Sequence, residues 1–365
     1  MAKILILTSK TGGGHVSLAE ALRDRLQHRH TIEIVDPQPA LIHWHYRLVS
    51  RHALWLWAAE FKLADTPARS LQAHQAFTRL FARNVSDLLR RAAPDAVMTT
   101  YPFLTYEITQ AMKQIKRHIP LLMLFSDPNG VHQAWLTERG AAANLAPTRE
   151  TQAQALNAGF DPARLHLSGW PVRGQFYRTF SAADRAGLLR QLNLDPKRFV
   201  ICLQGGGEGA AKFARTVENV LRVKGQPQII LVAGTNKALF ARFSGLPNIA
   251  PLPFTKDIAP YMAAADVVMG KAGPNTLFEA VTLGRPFIAT AYIPGQEEVN
   301  LEFIERHGLG WVTLGADSQW ALIERLMIDD YALKTMAESV DNYRRWNNEL
   351  LETILPVTES VIGKK

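Results

Sequence analysis

The chain has 365 residues, 47% of them apolar and 20% charged, which suffices for two domains with cores of their own and excludes a disordered or fibrous polymer. A single cysteine excludes a disulfide scaffold, and no stretch reaches the roughly 20 consecutive apolar residues of a membrane-spanning helix. The formal charge of +8 points to an anionic partner: a phosphate ligand, a nucleic acid or a lipid headgroup surface.

The first element is the apolar run Ile4-Leu5-Ile6-Leu7, which reads as a buried parallel strand over 3–8. It leads into Gly12-Gly13-Gly14-His15, after which Leu18, Ala19, Leu22 and Leu26 recur at helical spacing. Further strands are expected over 31–36, 96–100, 121–125 and 165–168, with helical periodicity between them. Asp195-Pro196 marks a break, and a second round of strands is expected over 199–204, 228–233, 267–269 and 286–289. Cys202 falls inside one of these and reads as a core residue. This alternation predicts an α/β protein of two doubly wound domains. The tail 318–355 reads as helix, with Trp320, Leu322, Ile323 and Leu326 on one face, and Pro356 is expected to stop it. The start of the chain lacks a signal-peptide pattern, so the expectation is a cytoplasmic protein, soluble or peripheral.

Two glycine turns follow apolar strands, and glycines there let backbone N–H groups and a helix N-terminus approach a phosphate. In the second, Gly205, Gly207 and Ala210 match a dinucleotide fingerprint, but no acidic residue ends the next strand. In the first, Asp36 stands where that acid belongs, while Ser17 occupies the third glycine position. Each NAD match is half complete. A third segment holds Lys271-Ala272-Gly273-Pro274, then Thr276 and Glu279 opening a helix, where a capping role for Glu279 is the alternative. Gln296, Glu297 and Asn300 follow the next strand, at the carboxyl ends where open α/β sheets bind ligands.

His15 sits at a helix N-terminus, which disfavours imidazolium and keeps the ring able to accept a proton; a capping or packing histidine is the alternative. Asp127-Pro128-Asn129-Gly130 also reads as an ordinary turn, with His132 just beyond it. Over 41–70, Trp44, Tyr46, Trp55, Trp57 and Phe61 interleave with Arg47, Arg51, Lys62 and Arg69, and Arg79, Arg83, Arg90 and Arg91 follow. Indoles and arginines together suit an anionic bilayer interface. The same residues also suit a core with a solvated basic face. No motif for nucleic acid accompanies them. No Asp-x-Asp occurs, and His or Cys spacing of the zinc kind is absent, so no metal is expected; His43 and His45 read as surface residues beside Trp44.

Six blocks in order then carry a family resemblance: GGGHVSLAEAL at 12–22, SDPNGVHQAW at 126–135, APTRETQAQALNAGF at 146–160, GWPVRGQF at 169–176, QGGGEGA at 204–210, and GKAGPNTLFEA through PGQEEVN at 270–300. Over nearly its whole length the chain resembles the GT-B glycosyltransferases that include monogalactosyldiacylglycerol synthases, processive diacylglycerol glucosyltransferases and, more distantly, the peptidoglycan N-acetylglucosaminyltransferase. The resemblance implies two Rossmann-like domains facing across a cleft. The first, 1–170, would take the acceptor and be completed by 341–365; a hinge would span 171–195, and 196–340 would bind a UDP-sugar.

By the same resemblance His15 is the base, with Asp127 as an alternative, and Gly14 and His132 line the acceptor side, where Trp55, Trp57, Arg47 and Arg51 meet the membrane. The donor set it implies is Gly206, Gly207 and Glu208 at the diphosphate with Lys271 nearby, Phe254 against the uracil, Glu279 on the ribose, and Gln296 and Glu297 on the sugar. Gly273, Thr276 and Asn300 complete that set. Asn275 departs from the glycine the family often has there. The implied reaction is inverting, metal-independent transfer of galactose or glucose from a UDP-sugar to diacylglycerol on the cytoplasmic face of a membrane, without other cofactors. Another lipid acceptor, a UDP-N-acetylglucosamine 2-epimerase-like enzyme and a non-catalytic nucleotide-sugar binder are the competing readings.

Overall fold

The computed structural model describes residues 1–11, 13–205 and 213–363, with the side chains of residues 46, 47, 50–52, 54 and 57 outside the described set. The chain divides into two compact units, residues 1–174 with 346–365, and residues 175–345.

Unit 1 runs β1 (Lys3–Leu7), α1 (Gly14–Leu26), β2 (Thr31–Val35), α2 (Ala40–His52), α3 (Leu54–Ala64), α4 (Pro67–Ala92) and β3 (Ala96–Thr99). It continues with α5 (Thr105–Gln114), β4 (Leu121–Leu124), α6 (Gln133–Leu136), β5 (Ala143–Ala146), α7 (Arg149–Asn157) and β6 (Leu165–Leu167). The six strands are parallel in the order β2-β1-β3-β4-β5-β6. Residues 4–7 and the whole of β3 and β4 are buried, as uninterrupted apolar strands must be when helices cover both faces.

Unit 2 runs α8 (Ala182–Gln191), β7 (Val200–Gln204), α9 (Phe213–Leu221), β8 (Gln228–Gly234), α10 (Lys237–Phe243), β9 (Ile249–Pro253) and α11 (Ala259–Ala264). Then come β10 (Val267–Lys271), α12 (Pro274–Thr282), β11 (Phe287–Ala291), α13 (Glu298–Arg306), β12 (Gly310–Val312), α14 (Ala316–Ile328) and α15 (Asp330–Leu351), whose last turns, with α16 (Ile354–Ile362), belong to unit 1. Its parallel sheet has the order β12-β11-β10-β7-β8-β9. Two parallel six-stranded sheets with flanking helices bear out the expected α/β protein of two doubly wound domains.

Three strands were not expected from sequence. The edge strand β9 carries Pro251 and Pro253, which lack an N–H and are tolerated only where one flank of the strand pairs with nothing. The other edge strand of unit 2, β12, has three residues, and β5 hides behind the buried polar Asn144. Pro356 does not end the last helix as expected: it lies in the first turn of α16, where a missing N–H costs no intrahelical bond. Cys202 is a buried core residue of β7, its thiol pushed up to about 12 by desolvation.

In both sheets the first strand of the unit has neighbours on either side, β1 between β2 and β3, and β7 between β8 and β10. Ligands of doubly wound sheets bind outside the carboxyl ends at this switch point. At the second, β10 approaches β7 so closely that a Cβ on Gly270 would meet the Gln204 carbonyl oxygen at 2.3 Å.

Candidate functional site

The unit 1 site is built on the loops that leave β1, β3 and β4. Gly13, with φ +76°, turns the chain from the loop into α1, a left-handed conformation that a side chain would strain. His15 therefore stands in the first turn of α1. Its Nδ1 lies 2.7 Å from the Thr100 carbonyl oxygen beyond β3, so Nδ1–H donates and the neutral ring presents its lone pair at Nε2. Thr100 is itself fixed: its hydroxyl donates to the His15 carbonyl at 2.9 Å and lies 2.9 Å from the Thr8 hydroxyl. Tyr101 meets the imidazole edge to face with centroids 4.9 Å apart. Desolvation lowers the His15 pKa to about 4, opposed by the Thr100 bond.

The loop before α1 is pinned from β2. Asp36 accepts the Lys10 N–H at 2.7 Å, the Gln38 N–H at 2.9 Å and His43 Nε2–H at 3.1 Å. Its carboxylate is thus taken up inside the protein, which removes the acid that an NAD reading needs. His43 is half-buried on this contact, correcting the expectation of a surface residue.

Asp127 follows β4. Burial pushes its carboxyl up to about 7, against the pull of the His132 backbone N–H at 3.4 Å and the Trp135 indole, while the Asp65 charge adds to the rise. His132 was expected to line the acceptor side, but it is only 3% exposed and both ring nitrogens are used within unit 1. Its Nδ1 accepts the Ala134 N–H at 3.0 Å as the N-cap of α6, so its Nε2–H donates to the Phe61 carbonyl at 3.2 Å. That assignment makes His132 a neutral structural residue. Phe61, expected among the interfacial aromatics, packs on the His132 ring at 4.4 Å instead.

Across α2, α3 and α4 large apolar side chains do face solvent. Trp55 is 75% exposed and Trp44 55%, and Leu41, Leu48, Leu63, Leu71 and Leu80 are exposed with them. Lys62, Arg69, Arg79, Arg83, Arg90 and Arg91 are exposed on the same helices. The side chains of Arg47, Arg51 and Trp57 lie outside the described residues. No helix among the described residues is long and apolar enough to cross a membrane.

In unit 2, Gly206, Gly207 and Glu208 lie outside the described residues. Phe254, just past β9, is exposed. Lys271 ends β10, and a tight turn from the Gly273 N–H to the Lys271 carbonyl, 2.6 Å, sets Gly273 as the N-cap of α12 with Pro274 at the first helical position. Glu279 consequently falls in the second turn of α12, nearly buried, and not in the first turn where a cap would be. Thr276 is half-buried on the first turn.

Lys271 is ion-paired with Glu297, whose other oxygen accepts the Ile293 N–H at 2.9 Å. The ammonium expected near a diphosphate is thus neutralised in this state. Asn300 is 2% exposed and donates from Nδ2 to the Ala272 carbonyl at 2.9 Å, tying α13 to the turn before α12. Gln296 is half-buried on the loop before α13. Lys271, Gly273, Glu297 and Asn300 therefore form one cluster at the carboxyl ends of β10 and β11.

Thr100, Tyr101, Thr8 and Gln38 were not singled out from sequence. The signal available was position: Thr100-Tyr101 leaves β3 beside β1, at the switch point. Among the described residues, no three His, Cys, Asp or Glu side chains gather as metal ligands.

Residues 15–172 match the family model of monogalactosyldiacylglycerol (MGDG) synthase, and residues 200–340 that of the glycosyltransferase family 28 C-terminal domain. The probable monogalactosyldiacylglycerol synthase 2, chloroplastic, of Oryza sativa subsp. japonica is 29% identical over 336 residues, covering 84% of this chain and 70% of its own. Among solved structures, Acinetobacter baumannii MurG superposes with a TM-score of 0.62 at 16% identity, over 98% of this chain and 100% of its own. Anabaena HepE in complex with UDP-glucose gives 0.59 at 18% identity, over 99% of both chains.

Proposed function

We propose that this chain, which belongs to the GT-B glycosyltransferases of the monogalactosyldiacylglycerol synthase family, transfers a hexose from a UDP-sugar to the free hydroxyl of diacylglycerol. The observation that carries the reading is His15: a neutral imidazole at the switch point of the MGDG-synthase-like unit, its Nδ1 proton committed to Thr100 and Nε2 left to accept. Supporting it are the rice relative's named activity and the UDP-glucose bound by HepE.

In this reading unit 1 takes the acceptor and unit 2 the donor. The acceptor oxygen attacks the anomeric carbon while Nε2 of His15 takes its proton, and the bond to the diphosphate breaks on the opposite face, inverting the centre to a β-glycoside. The departing charge falls to backbone N–H groups and the N-terminus of α12, with Lys271 released from Glu297 to assist. Glu279 holds the ribose, Gln296 and Glu297 the sugar, and Phe254 the base. No metal is required. Asp127, half-ionised near neutral pH, orients the acceptor hydroxyl.

A diacylglycerol stays in the bilayer, so the enzyme must work at its surface. The exposed Trp44, Trp55 and leucines, with the arginines of α4, suit peripheral docking on an anionic leaflet at the cytoplasmic face. The test incubates the protein with EDTA, anionic vesicles containing diacylglycerol, and UDP-galactose or UDP-glucose separately, with mass spectrometry of the extracted lipid. A hexosyl-diacylglycerol is expected, and the faster donor identifies the sugar. UDP release only with another lipid would overturn the acceptor, and product that vanishes in EDTA would overturn metal independence.

A further inference from the structure

Beside the Asp127 loop lie a histidine and a glutamate that the reaction above does not use. His74 in α4 and Glu107 in the first turn of α5 have fully buried side chains. His74 Nδ1 lies 2.9 and 3.2 Å from the two Glu107 carboxylate oxygens, and its Nε2 lies 3.0 Å from the Ala134 carbonyl oxygen. A carbonyl only accepts, so Nε2 carries a proton whichever partner holds the proton shared with Glu107.

Ala134 belongs to α6, a four-residue helix too short to hold its own place. Two histidines grip it from opposite ends of one residue: His132 Nδ1 accepts its N–H, and His74 Nε2–H donates to its carbonyl. The Ser70 and Thr137 hydroxyls, 3.1 Å apart, add a second tie between α4 and the end of α6. Of the residues thus fixed, His132 reaches Asp127: its backbone N–H donates to the carboxylate at 3.4 Å.

We infer that His74 and Glu107 are positioning residues for Asp127, acting through α6. A buried ionisable pair contributes little net stability compared with an apolar replacement, whereas it does fix geometry, because each partner must keep its hydrogen bonds or leave a buried charge exposed to nothing. Here the fixed geometry is that of the loop that carries Asp127. The inference rests on the reading that Asp127 orients the acceptor.

The test compares His74→Ala, Glu107→Ala and Glu107→Gln in the full chain. Readouts are kcat and KM with diacylglycerol vesicles, UDP affinity by calorimetry, and hydrogen exchange of the 133–137 amides by mass spectrometry. Glu107→Gln should keep most of kcat and the α6 protection, since the carboxamide donates to Nδ1 and leaves Nε2–H on Ala134. Both alanine variants should lose about tenfold or more in kcat and lose α6 protection, with UDP affinity unchanged.

Unchanged α6 exchange or unchanged kcat in the alanine variants overturns the inference, as does a Glu107→Gln variant that fails as badly as Glu107→Ala. Loss of UDP affinity alongside the others marks a general structural role and equally overturns it. If His74→Ala does not fold, the Glu107 pair decides. Should the parent protein transfer nothing to diacylglycerol, the functional reading falls, while the exchange comparison still decides whether the pair holds α6.

Discussion

His15 donates its Nδ1 proton to the Thr100 carbonyl across 2.7 Å, and Thr100 returns a hydroxyl bond to the His15 carbonyl at 2.9 Å, so the ring is oriented by backbone and not by a carboxylate. A ring held this way offers one lone pair, in one direction. Replacing His15 by alanine should lower kcat roughly a hundredfold or more, the ordinary worth of a positioned base, and leave UDP affinity intact. Near-normal turnover in the vesicle assay would take proton removal away from His15.

The two acid–base groups titrate well apart, His15 at about 4 and Asp127 at about 7. His15, at about 4, is neutral at every pH above about 5 and adds no limb to the rate profile there, so an acid limb near 7 belongs to Asp127. Asp127→Asn should abolish that limb in kcat/KM; its survival would assign it to another group. Stability follows with opposite signs. The folded pKa of His15 lies below 6.5, so the unfolded chain binds the extra proton and stability is lost as pH falls from 6.5 to about 4. The folded pKa of Asp127 lies above 3.8, so the folded chain holds the extra proton and stability is lost as pH rises from 3.8 to about 7. Denaturant melts across pH 4–8 should lose the second trend in Asp127→Asn and the first in His15→Gln.

Much of this site was legible because its parts are local in sequence. A buried strand, a glycine turn and a histidine are contiguous, and doubly wound topology then places them at a switch point. What was not legible depends on partners brought together by folding. His43 looked like a surface residue because Asp36, its partner, sits across the turn from β2 to α2. His132 looked like a ligand-facing residue because nothing in SDPNGVHQAW reveals that Phe61, 71 positions earlier, takes its second nitrogen. Glu279 looks like a cap in the sequence because Thr276 reads as the helix start, whereas α12 begins at Pro274. The missed strands share one cause: prolines, a polar residue or three-residue length hide them from a pattern of apolar runs.

Lys271 and Glu297 neutralise each other in unit 2, and the carboxylate is the more buried partner. Glu297→Gln should therefore leave the ammonium available to a diphosphate. UDP affinity is expected to hold or rise, while turnover falls if Glu297 also contacts the sugar. Calorimetry with UDP against turnover of the UDP-hexose separates the two; full turnover in Glu297→Gln would remove it from the sugar site.

Trp44 and Trp55 expose more than half of their surface on helices α2 and α3, which exposed lysine and arginines flank. Serine at both positions should cut sedimentation with anionic vesicles several-fold and raise KM for diacylglycerol, with UDP affinity unchanged, since indoles supply interfacial anchoring. Vesicle binding equal to that of the parent would place the docking face elsewhere.

Asn347, in the last turns of α15, closes a two-way clasp on unit 1. Its Oδ1 accepts the Trp170 N–H at 2.7 Å, and its Nδ2 donates to the Trp170 carbonyl at 3.2 Å. Asn347 is 1% exposed and Trp170 fully buried, so truncation strands a backbone donor away from water. Such a loss costs about 1–3 kcal/mol. Asn347→Ala should lower the unfolding midpoint of unit 1 without touching UDP affinity, a property assigned to unit 2. Asn347→Asp keeps the acceptor for Trp170 N–H but loses the donor and buries a charge, so it should fare no better. Differential scanning calorimetry with and without UDP checks both, and an Asn347→Ala protein as stable as the parent would mean that the end of α15 is held to unit 1 by its apolar contacts alone.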